Sequence, residues 1–334
     1  MLFKTLKLAG QFLILALFVS CTEEVEVNAF GPPVNVVYCL LDPGQDMQYV
    51  RIARSYHGSE NSPGTTPSAD SITWSEKFTV YIEELDENNL ISEIHHFSPS
   101  VNIIKDTGLF SREGLDLYKA QFRPEPLKTY NLYVYFENDR LITSGSTTIP
   151  GPIKIIDPMP VRGRKINLQS GSSFTVRWEP AELASVYQTF FRVFYREEPG
   201  SDIGLKNIKL KSAVTLDISN PNMIERSISG NNFILECIEQ VDSTLSVTRE
   251  IVNVSFEMFM GGEELGFYYY SQTGRNNLSS SVNEYTNLTN GIGVFSSINR
   301  FEISNLELSN TTLDELAYSD KTRHLGFLDH YGKR

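Results

Sequence analysis

Strand-length runs of apolar and alternating residues, separated by turn signals, recur along this chain and limit the folds open to it. Val34–Leu41 is nearly all apolar, while Gln48–Ser55 and Lys77–Leu85 alternate with the two-residue period of half-buried strands. Asp42-Pro43-Gly44 is a strong turn signal between the first two runs. Further runs are Leu117–Phe122, Tyr130–Phe136 and Arg140–Thr148. The pattern predicts a mainly β protein made of antiparallel β-sandwich modules with a few short helices.

The pattern is interrupted at Ile149-Pro150-Gly151-Pro152, which predicts a domain boundary. We expect an N-terminal β-sandwich domain over residues 34–150 and a C-terminal domain over residues 151–334. In the second domain, Ser172–Trp178 and Tyr187–Arg196 alternate on either side of a short link. A strand that ends in Trp before a Tyr-rich strand resembles part of fibronectin type III and immunoglobulin-like domains, where the Trp packs in the core.

Three segments of the C-terminal half indicate shorter elements. Thr312-Leu313-Asp314-Glu315 matches a capping box and predicts a short helix near residues 312–319. Asn232–Gln240 is compatible with a helix or a strand. Gly291-Ile292-Gly293 lacks the third glycine of a dinucleotide-binding loop at the required spacing, and we interpret it as a tight turn between strands.

The N-terminus has the organisation of a bacterial lipoprotein signal. Two lysines precede Leu8–Val19, a mostly apolar run too short for a spanning helix of ~20 residues but suited to a signal peptide. Ser20 then stands before Cys21. We predict a signal peptide over residues 1–20 and a lipid-modified Cys21, which anchors the protein to a membrane. The alternative is an ordinary signal peptide followed by an incidental cysteine.

Residues 21–33 are interpreted as an acidic tether. Glu23-Glu24-Val25-Glu26 directly follows the cysteine, and the segment ends in Gly31-Pro32-Pro33. An acidic cluster behind a lipidated cysteine resembles the signal that exports Bacteroidota lipoproteins to the outer face of the outer membrane. We therefore expect an outer-membrane location facing the cell exterior, and the alternative is a solvated acidic linker.

Charge argues against one class of partner. The chain carries 41 acidic and 29 basic side chains, for a formal net charge of −12. An acidic body repels phosphate backbones, so we expect no nucleic-acid binding through bulk charge. Apolar residues make up 40% of the chain, which favours a globular body over a disordered one.

The motifs that usually carry catalysis or metal binding are absent from the sequence. There is no HExxH, no GxSxG and no P-loop, so we expect no enzymatic activity and no cofactor. His95 and His96 would point to opposite faces of a strand, so we interpret both as surface polar positions and predict no metal site. Cys39 and Cys237 lie in apolar runs and are predicted to be buried thiols, with a disulfide between them as the alternative.

Tyr268, Tyr269 and Tyr270 form a dense aromatic group and are candidates for ligand binding. Aromatic platforms bind sugars and peptides through stacking and a large contact area. The alternative is a strand whose aromatic side chains alternate between the core and the surface.

Two serines are candidates for O-glycosylation. Asp70-Ser71-Ile72 and Asp242-Ser243-Thr244 both match a short pattern that resembles the sequon of Bacteroidota envelope proteins. Ser71 and Ser243 would be the modified residues, although three-residue patterns also occur by chance.

Several stretches together resemble one family. They are the lipobox at Cys21, the opening strand Val34–Leu41, the hairpin Tyr130–Ile149 and the segment Tyr285–Phe295. This order is similar to an uncharacterised, domain-of-unknown-function family of Bacteroidota outer-membrane surface lipoproteins. Its members are often encoded beside Sus-type TonB-dependent transporters. The resemblance implies an accessory or ligand-capturing subunit of a TonB-dependent barrel, and it supplies no catalytic residues.

Three functions remain open from the sequence. The first is a non-enzymatic outer-membrane lipoprotein that serves a TonB-dependent transporter or another outer-membrane complex. The second is a free-standing surface module that binds a glycan or a peptide. The third is an enzyme whose site is assembled from residues distant in the sequence.

Overall fold

The computed structural model describes much of the chain beyond the predicted tether. Cys21, the predicted signal peptide and Ser71 lie outside the described residues. No helix within the described ranges is long and apolar enough to cross a membrane. The described ranges are 34–55, 73–74, 77–100, 116–136, 141–157, 165–198, 205–212, 214–215, 222–243, 247–273 and 285–334.

Strands dominate these residues, which confirms the prediction of a mainly β protein. The strands are β1 (Asn35–Leu41), β2 (Met47–Arg54), β3 (Phe78–Leu85), β4 (Ile91–Ser100), β5 (Asp116–Gln121), β6 (Thr129–Phe136), β7 (Leu141–Thr148), β8 (Lys154–Asp157), β9 (Lys165–Ile166), β10 (Ser173–Glu179), β11 (Val186–Glu198), β12 (Lys206–Lys211), β13 (Ile224–Ser229), β14 (Thr248–Gly261) and β15 (Ile292–Leu308). The helices are α1 (Gly230–Gln240), α2 (Glu263–Thr273), α3 (Asn310–Tyr318) and the 3-10 turn Arg323–Leu325.

Two sheets organise the described strands. The larger sheet has the order β12-β11-β14-β15-β1-β2-β5-β4-β3-β6-β7, with β9 paired to β15, and the smaller has the order β13-β10-β8. Most neighbours are antiparallel, as expected. The exceptions are the pairs β1–β15 and β9–β15, which are parallel. The β1–β15 ladder connects strands from the two halves of the chain into one hydrogen-bonded sheet.

Buried side chains form two cores. The first is built by residues between Val37 and Ile149, together with Leu288 and Phe295 from far along the chain. The second extends from Ile166 to Phe327. Each half of the chain therefore has its own core, but the first core also includes Leu288, just before β15, and Phe295, near the start of β15.

The second core is enclosed by two layers of strands. Phe174 on β10 contacts Phe191 on β11, with ring centroids 6.2 Å apart, and Trp178 contacts Tyr187 at 5.8 Å. Trp178 is fully buried, as predicted for a packing residue. The two predicted strands around it are confirmed, while a fibronectin-like or immunoglobulin-like subtype stays a prediction.

Gly291-Ile292-Gly293 is not a turn throughout, because β15 begins at Ile292. Gly293 has a φ of +115°, and a Cβ atom there would lie 2.1 Å from the backbone oxygen of Val37. Glycine is therefore required for the close approach of β15 to β1. The turn lies just before the strand, where Asn290 adopts a φ of 57°.

The predicted C-terminal helix is present as α3, but its capping residue is Ser309 and not Thr312. The Ser309 hydroxyl accepts a hydrogen bond from the Thr312 backbone N–H at 3.2 Å. Thr312 lies in the first turn, and its hydroxyl accepts from the backbone N–H of Leu168 at 2.8 Å. The undecided segment at Asn232–Gln240 lies within α1.

The two cysteines of the folded body are buried and unbonded to each other. Cys39 belongs to the first core and Cys237 to the second. This confirms the prediction of buried thiols. Burial raises the pKa of both thiols, which keeps them protonated at neutral pH.

Candidate functional site

The three tyrosines predicted as a ligand platform lie on helix α2 and not on a strand. Gly261-Gly262 ends β14, and the acidic residues of the first turn favour a helix start. Consecutive helical positions are rotated by ~100°, so the three side chains point in different directions. Tyr268 packs edge-on against Tyr38 with centroids 6.2 Å apart, whereas Tyr270 is 57% exposed. Their function in ligand binding stays a prediction.

A different set of tyrosines clusters on the outer face of the N-terminal sandwich. Tyr81 on β3 lies directly opposite Tyr133 on β6, and Tyr135 is two residues further along β6. Alternation along each strand sends the neighbouring aliphatic side chains into the first core and these three rings outward. We call Tyr81, Tyr133 and Tyr135 the tyrosine platform.

Within the tyrosine platform, the Tyr81 ring stacks on the rings of Tyr133 and Tyr135. The Tyr81 centroid lies 5.2 Å from that of Tyr133 and 5.8 Å from that of Tyr135, with interplanar angles of 30° and 9°. The centroids of Tyr133 and Tyr135 are 6.5 Å apart. These three distances describe a compact triangle, and all three side chains are partly exposed. His96 extends the aromatic group across β4, at 5.8 Å from Tyr81.

Polar side chains on the same face border the tyrosine platform. Glu83 is two residues beyond Tyr81 on β3, and it pairs across the sheet with Asn131. On β7, Ser144 and Ser146 lie opposite Tyr133 and Asn131. The border therefore offers a carboxylate, an amide and two hydroxyls beside aromatic rings.

The hydroxyls of Tyr81 and Tyr133 remain protonated well above neutral pH. Burial raises the pKa of Tyr81, and a hydrogen bond with Tyr135 raises it further. Burial and the nearby Glu83 carboxylate raise the pKa of Tyr133. The hydroxyls can therefore act as hydrogen-bond donors.

On the opposite face of β3, a charged cluster lies inside the sandwich. Glu84 is 6% exposed and pairs with Lys128 at 2.6 Å. Tyr130 donates a hydrogen bond to the same carboxylate at 3.2 Å, and His95 lies 3.4 Å away. Burial by itself would raise the pKa of Glu84, but hydrogen bonds from Lys128, His95 and Tyr130 lower it overall.

The interpretation of His95 as a surface position is wrong, whereas His96 is exposed as predicted. The His95 ring is buried and stacks on Phe122, with centroids 3.8 Å apart and an interplanar angle of 6°. Its inward direction follows from the register of β4 on β3, which places it opposite Ile82. A sequence pattern of two adjacent histidines does not reveal which one faces the core.

Glu84, Glu93 and His95 bring their ligand atoms within 4.8 Å of one another, which is the composition of a metal site. The geometry does not favour one. Nε2 of His95 faces Glu84 and Nδ1 faces Glu93 at 3.8 Å, so the carboxylates approach opposite ring nitrogens. The Lys128 ammonium already neutralises Glu84 at 2.6 Å. These contacts support a structural ion-pair network.

Two clefts accompany these features. A cleft of about 440 Å³ lies between β11, β12, β13 and α1. A second, of about 690 Å³, lies between the β3–β4 turn and the residues that lead into β6, and Lys128 lines it. Glu84 and His95 are not among the described residues that line this second cleft, so both side chains face the core.

Ser243, one of the two predicted O-glycosylation positions, is exposed in a turn after α1. Its modification stays a prediction.

Comparison with known proteins identifies the family. The family model described as Domain of unknown function (DUF4249) matches residues 22–304, which is most of the chain. The chain belongs to this family. A search of curated proteins finds no match. The crystal structure of CBD12 from CALX1.2 is similar over 80% of this chain and all of its own, at 8% identity, but its TM-score of 0.16 carries no argument about this DUF4249 protein.

Proposed function

We propose that this DUF4249 protein is a non-enzymatic, lipid-anchored outer-membrane lipoprotein that captures a ligand for a membrane partner. The partner is a TonB-dependent transporter or another outer-membrane complex. The observation that carries the proposal is the tyrosine platform, a group of partly exposed aromatic side chains bordered by polar groups and by the exposed Ile94 on β4. Aromatic side chains contribute large contact areas at binding surfaces at a small cost in conformational entropy.

The N-terminal sequence supports the anchored part of the proposal. The residues between Cys21 and Val34 number twelve, and a chain extends by at most ~3.3–3.6 Å per residue. The folded body would therefore sit within about 40 Å of the lipid surface. The formal net charge of −12 repels anionic headgroups and keeps the folded body off the lipid surface.

The partner is tested with the complete, lipidated protein. Native outer membranes are crosslinked and extracted in a mild detergent, and co-purified proteins are identified by mass spectrometry. We expect a TonB-dependent barrel to accompany the wild-type protein and to be depleted with Cys21→Ala. A monodisperse wild-type protein without any barrel partner would contradict an accessory function.

The second candidate is a free-standing binding module, which the same tyrosine platform supports. It differs from the first in one consequence. A free-standing module binds its ligand from the cell surface equally well when the barrel gene is deleted, whereas an accessory subunit loses delivery of the ligand into the cell. Uptake of labelled ligand in the deletion strain separates the two.

A further inference from the structure

The N-terminal part of β4 forms an open strand edge on the N-terminal sandwich. Residues 91–97 pair with β3 on one side. On the other side, β4 pairs with β5 only at Ser98, Pro99 and Ser100. Within the part of the chain that the structure describes, no strand therefore covers the edge of residues 91–97. Such an edge presents backbone N–H and C=O groups that can pair with another strand.

Aliphatic side chains on this edge are left in solvent. Leu90, Ile91 and Ile94 are all exposed. Proteins usually protect an open edge with lysine, proline or a bulge. Residues 90–97 contain no lysine and no proline, and the bulge of this strand precedes the regular ladder of residues 93–97. The regular part of the edge is therefore free to accept a strand.

We propose that β4 pairs with β4 of a second copy of this chain, antiparallel and about a two-fold axis at Ile94. Directly opposite residues of an antiparallel pair lie on the same face of a sheet. Neighbouring residues of one strand lie on opposite faces, so the axis passes through a residue and not between two residues. The candidate positions are Glu93, Ile94 and His95, because an axis nearer to Ser98 leaves too short a ladder beside β5.

Side-chain complementarity selects Ile94 among these positions. An axis at Ile94 places Glu93 of each copy opposite His95 of the other, while the two Ile94 side chains pack on each other. An axis at Glu93 would place two carboxylates against each other, and an axis at His95 would pair Glu93 with the buried Phe97. A carboxylate accepts a hydrogen bond from an imidazole N–H, whereas like charges directly opposite each other are destabilising.

The second copy supplies a partner that the imidazole of His95 lacks in one chain. Within the described residues, Nδ1 of His95 has no hydrogen-bond partner, because Glu93 of the same chain stays 3.8 Å away. Directly opposite residues have Cβ atoms ~4.5–5.5 Å apart, so Glu93 of the second copy reaches the same nitrogen from the open side of the strand. The edge is therefore complementary to itself in this register.

A dimer of this kind would join two tyrosine platforms into one surface. The axis is perpendicular to the sheet, so the outer faces of both copies stay on the same side, with the two Tyr81 residues about 20 Å apart. The strand edge by itself is smaller than a standard interface of ~1,200–2,000 Å². Two copies held in one membrane by the proposed anchor have a high effective concentration, which favours a weak contact. Dimer formation needs neither a ligand nor a barrel, so it is tested separately from the proposed function.

Disulfide scanning in native membranes tests the register. Directly opposite Cα atoms are ~4.5–5.5 Å apart, which suits a disulfide. We expect Ile94→Cys to crosslink to itself under mild oxidation. His96→Cys is the matched control on the same face, and its two copies would lie ~13 Å apart along the strands, too far for a disulfide. Cys39 and Cys237 are buried and do not compete.

Self-association of the full lipidated protein in detergent is measured by analytical ultracentrifugation. Ile94→Lys places two ammonium groups opposite each other on the axis and is expected to weaken the dimer by roughly tenfold or more. Leu235→Lys is the matched control, since Leu235 is an exposed aliphatic residue on α1, and it should leave the dimer unchanged. Circular dichroism confirms that each variant is folded, and Ile94→Ser replaces the lysine variant if it is not.

Three results would overturn the inference. The first is a wild-type protein that stays monomeric in detergent and forms no Ile94→Cys disulfide in membranes. The second is equal crosslinking of Ile94→Cys and His96→Cys, which indicates random encounters and no fixed register. The third is a monomeric protein whose barrel partner is lost in Ile94→Lys, which would assign the edge to a different protein while supporting the accessory function.

Discussion

Arg249 shows how one buried charge can tie together segments that are distant in the sequence. Its side chain is fully buried, and Nε donates to a Glu197 oxygen at 2.9 Å. The other two nitrogens donate to the backbone oxygens of Asp242, at 2.7 Å, and of Leu325. The guanidinium therefore links β11, the end of α1 and the C-terminal 3-10 turn. Burial of a charge is tolerated when each donor has such an acceptor.

Replacing Arg249 with Met is expected to lower the free energy of unfolding by ~3–5 kcal/mol, because two carbonyls and one Glu197 oxygen lose their donor in a buried site, and only the other Glu197 oxygen keeps a donor, Lys206. Urea denaturation followed by circular dichroism measures the change. Arg196→Met is the matched control, since Arg196 is exposed and lies 3.6 Å from Glu250. The control should cost no more than about 0.5 kcal/mol, and equal losses in both variants would contradict the interpretation.

The lowered pKa of Glu84 predicts how the stability of the protein depends on pH. Its pKa is lower in the folded protein than its ordinary value, so the stability it contributes is present above the ordinary pKa. That contribution disappears as the pH falls through the lowered folded pKa. We expect Glu84→Gln to be less stable than wild type at neutral pH and to lose less stability on acidification.

Unfolding midpoints between about pH 3 and pH 7 measure the effect of Glu84→Gln. Glu93→Gln serves as the control, because the side chain of Glu93 is 66% exposed while it also borders His95. If the unfolding midpoints of wild type and Glu84→Gln fall equally steeply as the pH decreases, the Glu84 network does not carry the pH dependence.

At the scale of the element, helix ends are determined by local capping, but the burial of a helix is determined by its neighbours. Ser309 caps α3 through a contact that spans three residues. Thr312, the residue that the capping-box pattern selects, instead accepts a hydrogen bond from Leu168. Both residues have the chemistry of a cap. The position of Leu168 in space decides that Thr312 accepts its backbone N–H, while Ser309 caps the helix.

Ser309→Ala is expected to lower stability by ~1 kcal/mol, because the first turn of α3 loses its acceptor. Ser309→Asp keeps an acceptor oxygen at the same position and should stay close to wild type. Thermal unfolding compares the two variants. A similar loss in both would indicate that packing of the segment, and not the cap, is responsible.

The second prediction at the scale of the element concerns the partly buried carboxylate of Glu264 on helix α2. Burial raises the pKa of Glu264, although its carboxylate accepts a hydrogen bond from Thr147 at 3.3 Å. A raised folded pKa means that the favourable contribution is present below the ordinary pKa and is lost as the pH rises through the folded pKa. Glu264→Gln should therefore stabilise the protein at neutral pH and have little effect in acid.

Melting temperatures from about pH 4 to pH 8 test the effect of Glu264→Gln. Glu263→Gln is the matched control on the same turn, because Glu263 is exposed. Loss of its charge near the helix N-terminus should slightly destabilise α2 at neutral pH. A gain in Glu264→Gln that does not vary with pH would contradict the expected link to ionisation.

At the scale of the molecule, β15 connects the two halves. It pairs in parallel with β1 over Ile292–Ser297 and antiparallel with β14 over Ile298–Leu306. Phe295 is fully buried in the first core. A boundary near residue 150 separates most of the buried side chains of the two cores, while the backbone ladder and Phe295 cross it.

A fragment of residues 34–150 is therefore expected not to fold cooperatively by itself. It would expose the edge of β1 and leave the space of Leu288 and Phe295 empty. Urea titration should show no sigmoidal transition for the fragment. A peptide of residues 285–300 added in trans should restore one, and a cooperative transition of the fragment alone would show that the N-terminal domain is independent.

Phe295→Ala in the full chain provides a second measurement of the same connection. Removal of a fully buried phenylalanine should cost ~3–5 kcal/mol. Phe301→Ala is the control on the same strand, since Phe301 is partly exposed and packs on the second core. If Phe295→Ala lowers the free energy of unfolding by less than Phe301→Ala does, the packing of Phe295 into the first core is not important for connecting the two halves.

The local pattern was sufficient for strand identity. Strand β1 follows from a continuous apolar run, and β2, β3, β10 and β11 follow from alternation, because both patterns depend on a few neighbouring residues. The alternative of a strand at Tyr268–Tyr270 is wrong, because aromatic content favours strands while the double glycine and the acidic first turn of α2 start a helix. The N-terminal signal also lies in local sequence, and its function stays a prediction.

The tyrosine platform could not be predicted from the sequence. Tyr81 and Tyr133 are separated by a long stretch of chain, and only the register of β3 on β6 places them opposite each other. The same holds for Glu84 and Lys128, and for Gly293 and Val37. By itself the sequence determined many of the strands, the buried thiols and the family of this protein, while strands such as β4 and β13 were not predicted. The tertiary structure decided which residues meet, because strand pairing and register depend on contacts between distant segments that no local pattern encodes.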